Sequence, residues 1–487
     1  MRVQARHGRR IGKALVAGYQ RNHLVRNSGW LIIATGMNGF FGLAFWAETT
    51  HVLSESTVGS ASAVLAAMTF ASTMAMMGLG TTALQILPRA DDETWSTAVN
   101  SLVIGGAAVG LGAGLIAAVV LPHVSPRLSF AGQPPVAVCV ALGTPVLTVA
   151  TLLDYVFTAE RRAHYVVIRG ATFGLLKVAL LSVLIALGVR SGTWLVAAWV
   201  ISSAVTSGST LLWQVRRLGR PHRYRLKGVP SYVKKWSRIL VLHHITSLAD
   251  LMIPSLMPVL VVARLSTVDS AHFYVAWLLS GVLLTVSAAV AGNLLAELSY
   301  NEKSMAQTLR QAARLIALLL VPPVIVLAVF GRSILGIFGP TYAAHSYVVL
   351  LLFVVVAIPD AVTNIYVSVL RVRGEPHKAA GMNLLMAAVA LTGAWFLMGV
   401  VGVAGAAWAW ALAQVVGCGY VAIDSYAAKR GGLAIPVSIG ANRWAPGGQT
   451  PSRGEAEDGR PRVATAETNG GSTVDRVRTS KPLSAQQ

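Results

Sequence analysis

The sequence predicts an all-α integral membrane protein of about twelve transmembrane helices arranged as two six-helix lobes. Three observations carry that prediction. Apolar residues make up 54% of the 487 positions and charged residues only 12%, too few charges to cover a water-facing surface. The apolar residues fall into runs of about twenty, the length that crosses a hydrocarbon core of roughly 30 Å, and the runs do not alternate as barrel strands do. The basic residues are divided unevenly between the two ends of those runs. Of 40 Lys and Arg, 35 lie in segments on the same side as the N-terminus, and Arg127, Arg190, Arg264 and Arg332 lie in loops on the other.

The expected spans are 28–48, 58–80, 97–121, 137–158, 166–188, 192–213, 239–263, 271–294, 311–331, 347–370, 379–398 and 400–424. The first has no small-residue cleavage site behind it and reads as an uncleaved helix rather than an export signal. Basic loops stay inside the cell, so both termini are expected in the cytoplasm and the chain in the cytoplasmic membrane. Residues 1–27 form a basic segment suited to the inner leaflet. Spans one to six make an N-lobe (28–213) and spans seven to twelve a C-lobe (239–425). Between them, 214–238 is a basic linker with nine Lys and Arg and no acid. The polar stretch 426–487 is expected to be a disordered tail. Two lobes with even span counts share one orientation, so a duplication would be a parallel repeat. Sliding one lobe over the other by 212 positions pairs Leu53-Ser54 with Leu265-Ser266, Gly80 with Gly292 and Asn38 with Asp250.

The net charge of +21 is explained by this topology, and no nucleic-acid motif accompanies it. Two cysteines, Cys139 and Cys418, are too few for a disulfide framework or a zinc site and read as small core residues. No cofactor and no metal site are expected. Asp91, Asp92 and Glu93 read as an acidic helix start, and the glycines of 105–114 as a helix-packing surface. Trp30, Trp46, Trp194, Trp277 and Trp408 lie mostly toward span ends, where interfacial anchoring is the ordinary role.

An ionisable group inside a span costs about 2.5–3.5 kcal/mol on insertion scales, so it lines a cavity or pairs. Four such groups stand out: Asp154, Lys177, Asp250 and Asp360. Asp250 shares a helical stripe with His243, Ser247, Pro254 and Pro258, and the two prolines predict a hinge beside the carboxylate. Asp360 follows a third hinge candidate, Pro359, and shares a face with Thr363 or Asn364. Asp154 continues the stripe Thr144, Thr148, Thr151 near the cytoplasmic end of its span. Lys177 stands above Gly170 and Gly174, either as a cavity cation or as the partner of an Asp from another helix. With Asn38, these are the expected substrate or ion pathway.

Two stretches carry a resemblance. The segment Val58 to Arg89, with its Gly-Leu-Gly and Leu-Pro-Arg ending, resembles the second span of the polysaccharide biosynthesis proteins. These are the Wzx-like flippases of the multidrug/oligosaccharidyl-lipid/polysaccharide exporter superfamily. The segment Ile334 to Glu375, with Phe-Gly-Pro-x-Tyr and a later Leu-Arg, is similar to that family's ninth and tenth spans. The resemblance implies a V-shaped, MATE-like bundle around a central cavity that works by alternating access. It also implies a polyprenyl-diphosphate-linked oligosaccharide as substrate, with membrane lipids around it and a glycosyltransferase or polymerase as conceivable partners. A diphosphate would be gathered by inner-end cations such as Arg26, Arg89, Arg314 and Arg371. The mid-span charges are acid-rich, which departs from a cationic lumen and keeps open a second reading, a cation-coupled exporter of small molecules from the same superfamily. The outer loops are short and poor in acids, so an enzyme is not expected.

Overall fold

The computed structural model describes residues 23–76, 78–218, 252–300 and 305–430. The described chain is helical throughout, without strands. The first lobe contains α1 (His23–Val52), α2 (Glu55–Met76), the short α3 (Leu79–Ile86), α4 (Asp92–Val124), α5 (Pro134–Ala159), α6 (His164–Ala186) and α7 (Gly192–Ser209). A single π-helical turn, Thr210–Gln214, extends α7. The second lobe contains α8 (Met252–Arg264), α9 (Thr267–Tyr300), α10 (Met305–Gly336), the short α11 (Pro340–His345), α12 (Tyr347–Val372), α13 (Pro376–Val401) and α14 (Ala404–Arg430). Eleven of these helices are long and apolar enough to cross a membrane, so the chain is a multi-pass membrane protein. The seventh expected span lies outside the described residues up to 251, and α8 is its remaining half. The linker is described only to Leu218. The helix α14 continues to Arg430, five residues into the stretch expected to be tail.

Several helix limits differ from expectation for local reasons. The second span was expected to run to Gly80, but α2 stops at Met76. Gly78 then takes a left-handed φ of 79° that a side chain would resist, and the chain restarts as α3. The helix of the third expected span, α4, starts five residues before that span. Asp91 caps it by accepting the Thr94 N–H at 2.8 Å, so the acidic cluster is a helix start, as its composition predicts. Bonds from Thr94 hold the Asp91 carboxyl below its ordinary range. The cap is therefore complete above about pH 4 and is lost as acid protonates the group.

The repeat is visible at one turn. Ser54 Oγ accepts the Thr57 N–H at the start of α2, and Ser266 Oγ accepts the Asp269 N–H at the start of α9 at 3.0 Å. The two caps are 212 residues apart, the offset that the sequence suggests.

The exterior, unlike that of a water-soluble bundle, is apolar. Large apolar side chains point outward along α10 and α13, among them Leu318, Val329, Phe396 and Val400. Hydroxyls and amides such as Ser202, Thr206, Thr363 and Gln414 point inward. A lipid environment permits this arrangement, because there the costly group is the unsatisfied polar one. The glycine stripe of α4 packs on α5 as expected. A Cβ at Gly110 would lie 2.8 Å from Pro145 Cα, and one at Gly114 would lie 2.6 Å from the Ala141 carbonyl.

For orientation, the end bearing Ser125, Gly188 and Arg264 is called the Ser125 face, and the opposite end the Arg161 face. Described bonds between the lobes cluster at the Ser125 face. Ser125 Oγ donates to the Ala263 carbonyl at 3.1 Å, Arg127 donates to the Arg264 carbonyl, and Glu55 lies 3.3 Å from His272 Nε2. A Cβ on Gly59 of α2 would overlap the Thr267 carbonyl of α9. Further in, Trp46 packs on Tyr274 with ring centroids 4.7 Å apart.

Gly114→Val is expected to lower the thermal stability of the detergent-purified protein by about 1–3 kcal/mol, the usual penalty for overpacking. The exposed, uncrowded Gly112 should accept the same change with little loss. Thermal melts of the two variants check this.

Candidate functional site

The three described mid-span charges are each accommodated differently. Asp154 on α5 receives a two-pronged bond from the guanidinium of Arg169 on α6. Sequence reading counted Arg169 among the cytoplasmic loop charges. That placement is corrected, because it lies in the second turn of α6 and is 8% exposed. It escaped notice because, three residues into the expected span 166–188, it was counted with the basic flank of that span. Of the hydroxyl stripe leading to Asp154, Thr144 and Thr148 are buried and Thr151 is exposed.

Lys177 on α6 meets aromatic rings rather than an acid. Its Nζ sits 4.0 Å from the centroid of Trp199, 4.9 Å from Phe173 and 5.4 Å from Phe45. Among the described residues no carboxylate lies against it. The open alternative of an Asp partner from another helix is therefore not what the described side chains provide. Gly170 and Gly174 let α1 approach below it, at Asn38 and Phe41. Asn38 itself is exposed.

Asp360 on α12 is buried and held by neutral donors. Ser287 Oγ donates to one carboxylate oxygen at 2.6 Å and Asn364 Nδ2 to the same oxygen at 2.9 Å. Gln414 Nε2 donates to the other at 3.0 Å. Thr363 Oγ1 in turn donates to Gln414 Oε1 at 3.0 Å, which fixes the amide's orientation. This network borders a cavity of about 550 Å3 within the second lobe. Trp277 and Trp410 form an edge-to-face pair on its wall, and Pro254, Asn383 and Arg371 also line it. A carboxylate ringed by amides, hydroxyls and indoles can accept a cation, a proton or hydrogen-bond donors of a polar ligand.

The structure thus brings Asp360, Pro254 and Arg371 to one cavity and leaves Lys177 and Asp154 in the first lobe. Pro359 is one residue from the network, and its carbonyl lies 3.9 Å from Cys418 Sγ. Pro258 is buried, and its carbonyl accepts from Ser270. Asp250 and His243 lie outside the described residues. Arg26 falls in α1, Arg89 ends the turn after α3, and Arg314 is exposed on α10. Sequence reading missed Ser287, Gln414, Asn383 and Trp410. The amides at 383 and 414 were legible as polar residues inside otherwise apolar spans, but neutral groups drew no attention beside charged ones. Two of the tryptophans assigned to the interface are corrected as well. Trp46 is buried against Phe45 and Tyr274, and Trp277 belongs to the cavity, whereas Trp194 and Trp408 do face outward.

Breaking a buried ion pair by removing one partner strands the other. Asp154→Asn is expected to reduce stability toward the ~3–5 kcal/mol scale of such losses, and Asp154→Asn with Arg169→Met to recover most of it. A double-mutant cycle on thermal unfolding checks the coupling.

No family model and no curated protein matches the chain. Solved structures do. A structure described as "Lipid II flippase MurJ, inward closed conformation" matches with a TM-score of 0.65 at 11% identity, over 81% of this chain and 87% of that one. The inward-facing conformation of a multidrug resistance MATE family transporter of the MOP superfamily matches with a TM-score of 0.60 at 14% identity, over 82% and 99%. A MOP superfamily transporter from Pyrococcus furiosus matches at 0.51 and 14% identity, over 84% and 96%. The fold of this chain is the one that those MOP-superfamily transporters share.

Proposed function

We propose that this protein is a flippase that carries a polyprenyl-diphosphate-linked oligosaccharide across the cytoplasmic membrane by alternating access. The observation that carries the reading is the close seating of the two lobes at the Ser125 face. Their described bonds cluster at the Ser125 face, where Gly59 allows α2 to rest on α9 without a side chain between them. Two lobes of rigid helices that meet at such a seat can rock about the bilayer midplane, which is the movement alternating access requires. The excess of Lys and Arg on the opposite end supports assigning the Arg161 face to the cytoplasm. The state described here is then closed to the outside. The fold shared with a lipid II flippase supports a lipid-linked cargo, and Lys177 and the inner-end arginines supply positive charge for a diphosphate.

The Asp360 cavity favours a second reading, export of a small molecule coupled to a cation. That reading places the driving ion and a compact cargo in the second lobe, beside the Asp360 network.

Depletion of the protein separates the two. The flippase reading expects lipid-linked sugars to accumulate on the inner leaflet, with no change in the cell's tolerance of small toxic cations. The exporter reading expects the reverse. In either case Asp360→Asn should cut transport at least about tenfold, a loss near 1.4 kcal/mol of barrier, without unfolding the protein. Full transport with an unaltered pH dependence in that variant would remove Asp360 from the mechanism.

A further inference from the structure

The interior-facing side of α7 is polar although the helix crosses the membrane. Ser202, Ser203, Thr206, Ser207, Thr210 and Gln214 are all at least nine-tenths buried. The lipid-facing side of the same helix carries Ile201, Val205 and Leu212. Four atoms on the buried side, Ser202 Oγ, Ser207 Oγ, Thr210 Oγ1 and Gln214 Oε1, have no hydrogen-bond partner in the protein. They recur along one helix at intervals of five, three and four residues, so they form a track rather than scattered defects. The π-helical turn at Thr210–Gln214 lies at one end of that track. Such turns are rare and concentrate at functional positions.

The track has two distinct ends. Gln214 stands beside the exposed Arg216 and Arg217 at the Arg161 face. Twelve residues away, about 18 Å along a helix, Ser202 and Ser203 lie one turn below Trp199, whose ring receives the Lys177 ammonium. Unsatisfied hydroxyls in a membrane interior are costly, and ordered water with two to four polar partners is the ordinary remedy. A file of such waters would connect the Arg161 face with the one described mid-span cation that has no acid beside it. Of the described acids on the helices packed against α6, Glu48 of α1 accepts from Ser182 at 2.5 Å, and Asp154 of α5 is bound to Arg169.

We propose that the buried polar side of α7 is a hydrated path that carries protons between the Arg161 face and Lys177. In the discharging direction an N–H bond of the ammonium breaks, an O–H bond forms on the adjacent water, and the excess proton leaves past Gln214. Lys177 remains as a neutral amine among the three rings. Recharging reverses each step. The path gives the first lobe its own titrating group, separate from Asp360.

The test uses purified protein in nanodiscs without substrate, so its outcome is separate from the transport assays above. In a background of Cys139→Ala and Cys418→Ala, Ser207→Cys should react with a small cationic methanethiosulfonate at least tenfold faster than the lipid-facing Val205→Cys. In stopped-flow pH jumps, the tryptophan fluorescence change that disappears in Lys177→Met should slow at least tenfold in the size-conserving pair Ser207→Ala and Thr210→Val. Equal reactivity of the two cysteines, no Lys177-dependent fluorescence change, or an unaltered rate in the pair would overturn the proposal. A rise in melting temperature of the pair with that rate unchanged would identify the stripe as dry helix packing and overturn it equally.

Discussion

The fold depends on answering polar groups where water is absent. A membrane interior gives an unpaired donor, acceptor or charge no solvent to fall back on, so each must be met by protein, by enclosed water or by a ligand. This constraint explains why the helices are continuous through the core and why backbone breaks such as Gly78 and Gly402 occur between helices. It also explains the apolar exterior. Leucines and phenylalanines can face lipid at no cost, while serines and amides turn inward and seek one another.

The described mid-span charges show three answers to the same problem. Asp154 and Arg169 neutralise each other in a bidentate pair, a structural solution that ties α5 to α6. Asp360 keeps its charge or proton but is surrounded by three neutral donors on α9, α12 and α14. Any change at this carboxylate is therefore felt by three helices at once. Lys177 has only the faces of aromatic rings. The first of these is architecture, whereas the second and third leave a group whose charge can still be used.

Much of the fold was legible in the sequence because lipid imposes a simple code of run length and basic flanks. Eleven of the twelve expected spans correspond to long apolar helices, and the repeat offset reappears as matched serine caps at Ser54 and Ser266. The site was legible only in part. Charged residues announce themselves in an apolar run, so Asp360, Lys177 and Asp154 were visible. Their partners were not, because Ser287, Gln414 and Trp199 are ordinary residues far away in sequence, and only packing assigns them a role. Arg169 shows the same limit from the other side. A charge near a span end reads as a loop residue until an acid fifteen positions earlier is seen to draw it inward.

The two usable charges are not equally well answered. A hydrogen bond to a charged group contributes about 1.5–3 kcal/mol, so three of them at Asp360 exceed the roughly 3 kcal/mol cost of placing a charge at mid-membrane. A cation–π contact contributes about 0.5–2 kcal/mol, less for each contact than a hydrogen bond to a charged group, and the three rings around Lys177 lie at 4.0, 4.9 and 5.4 Å. Lys177 is thus held with a smaller margin than Asp360, in the lobe whose interior also contains unsatisfied hydroxyls. Among the described residues each lobe contains buried polar atoms that protein alone leaves unpaired, on Ser202, Ser207, Thr210 and Gln214 in the first and on Tyr342, Ser346 and Trp410 in the second, where the Asp360 network stands beside an open cavity. Under the proposed function and the proposed proton path, this arrangement would separate the place where charge is adjusted from the place where a ligand is held, with rocking of one lobe against the other coupling them.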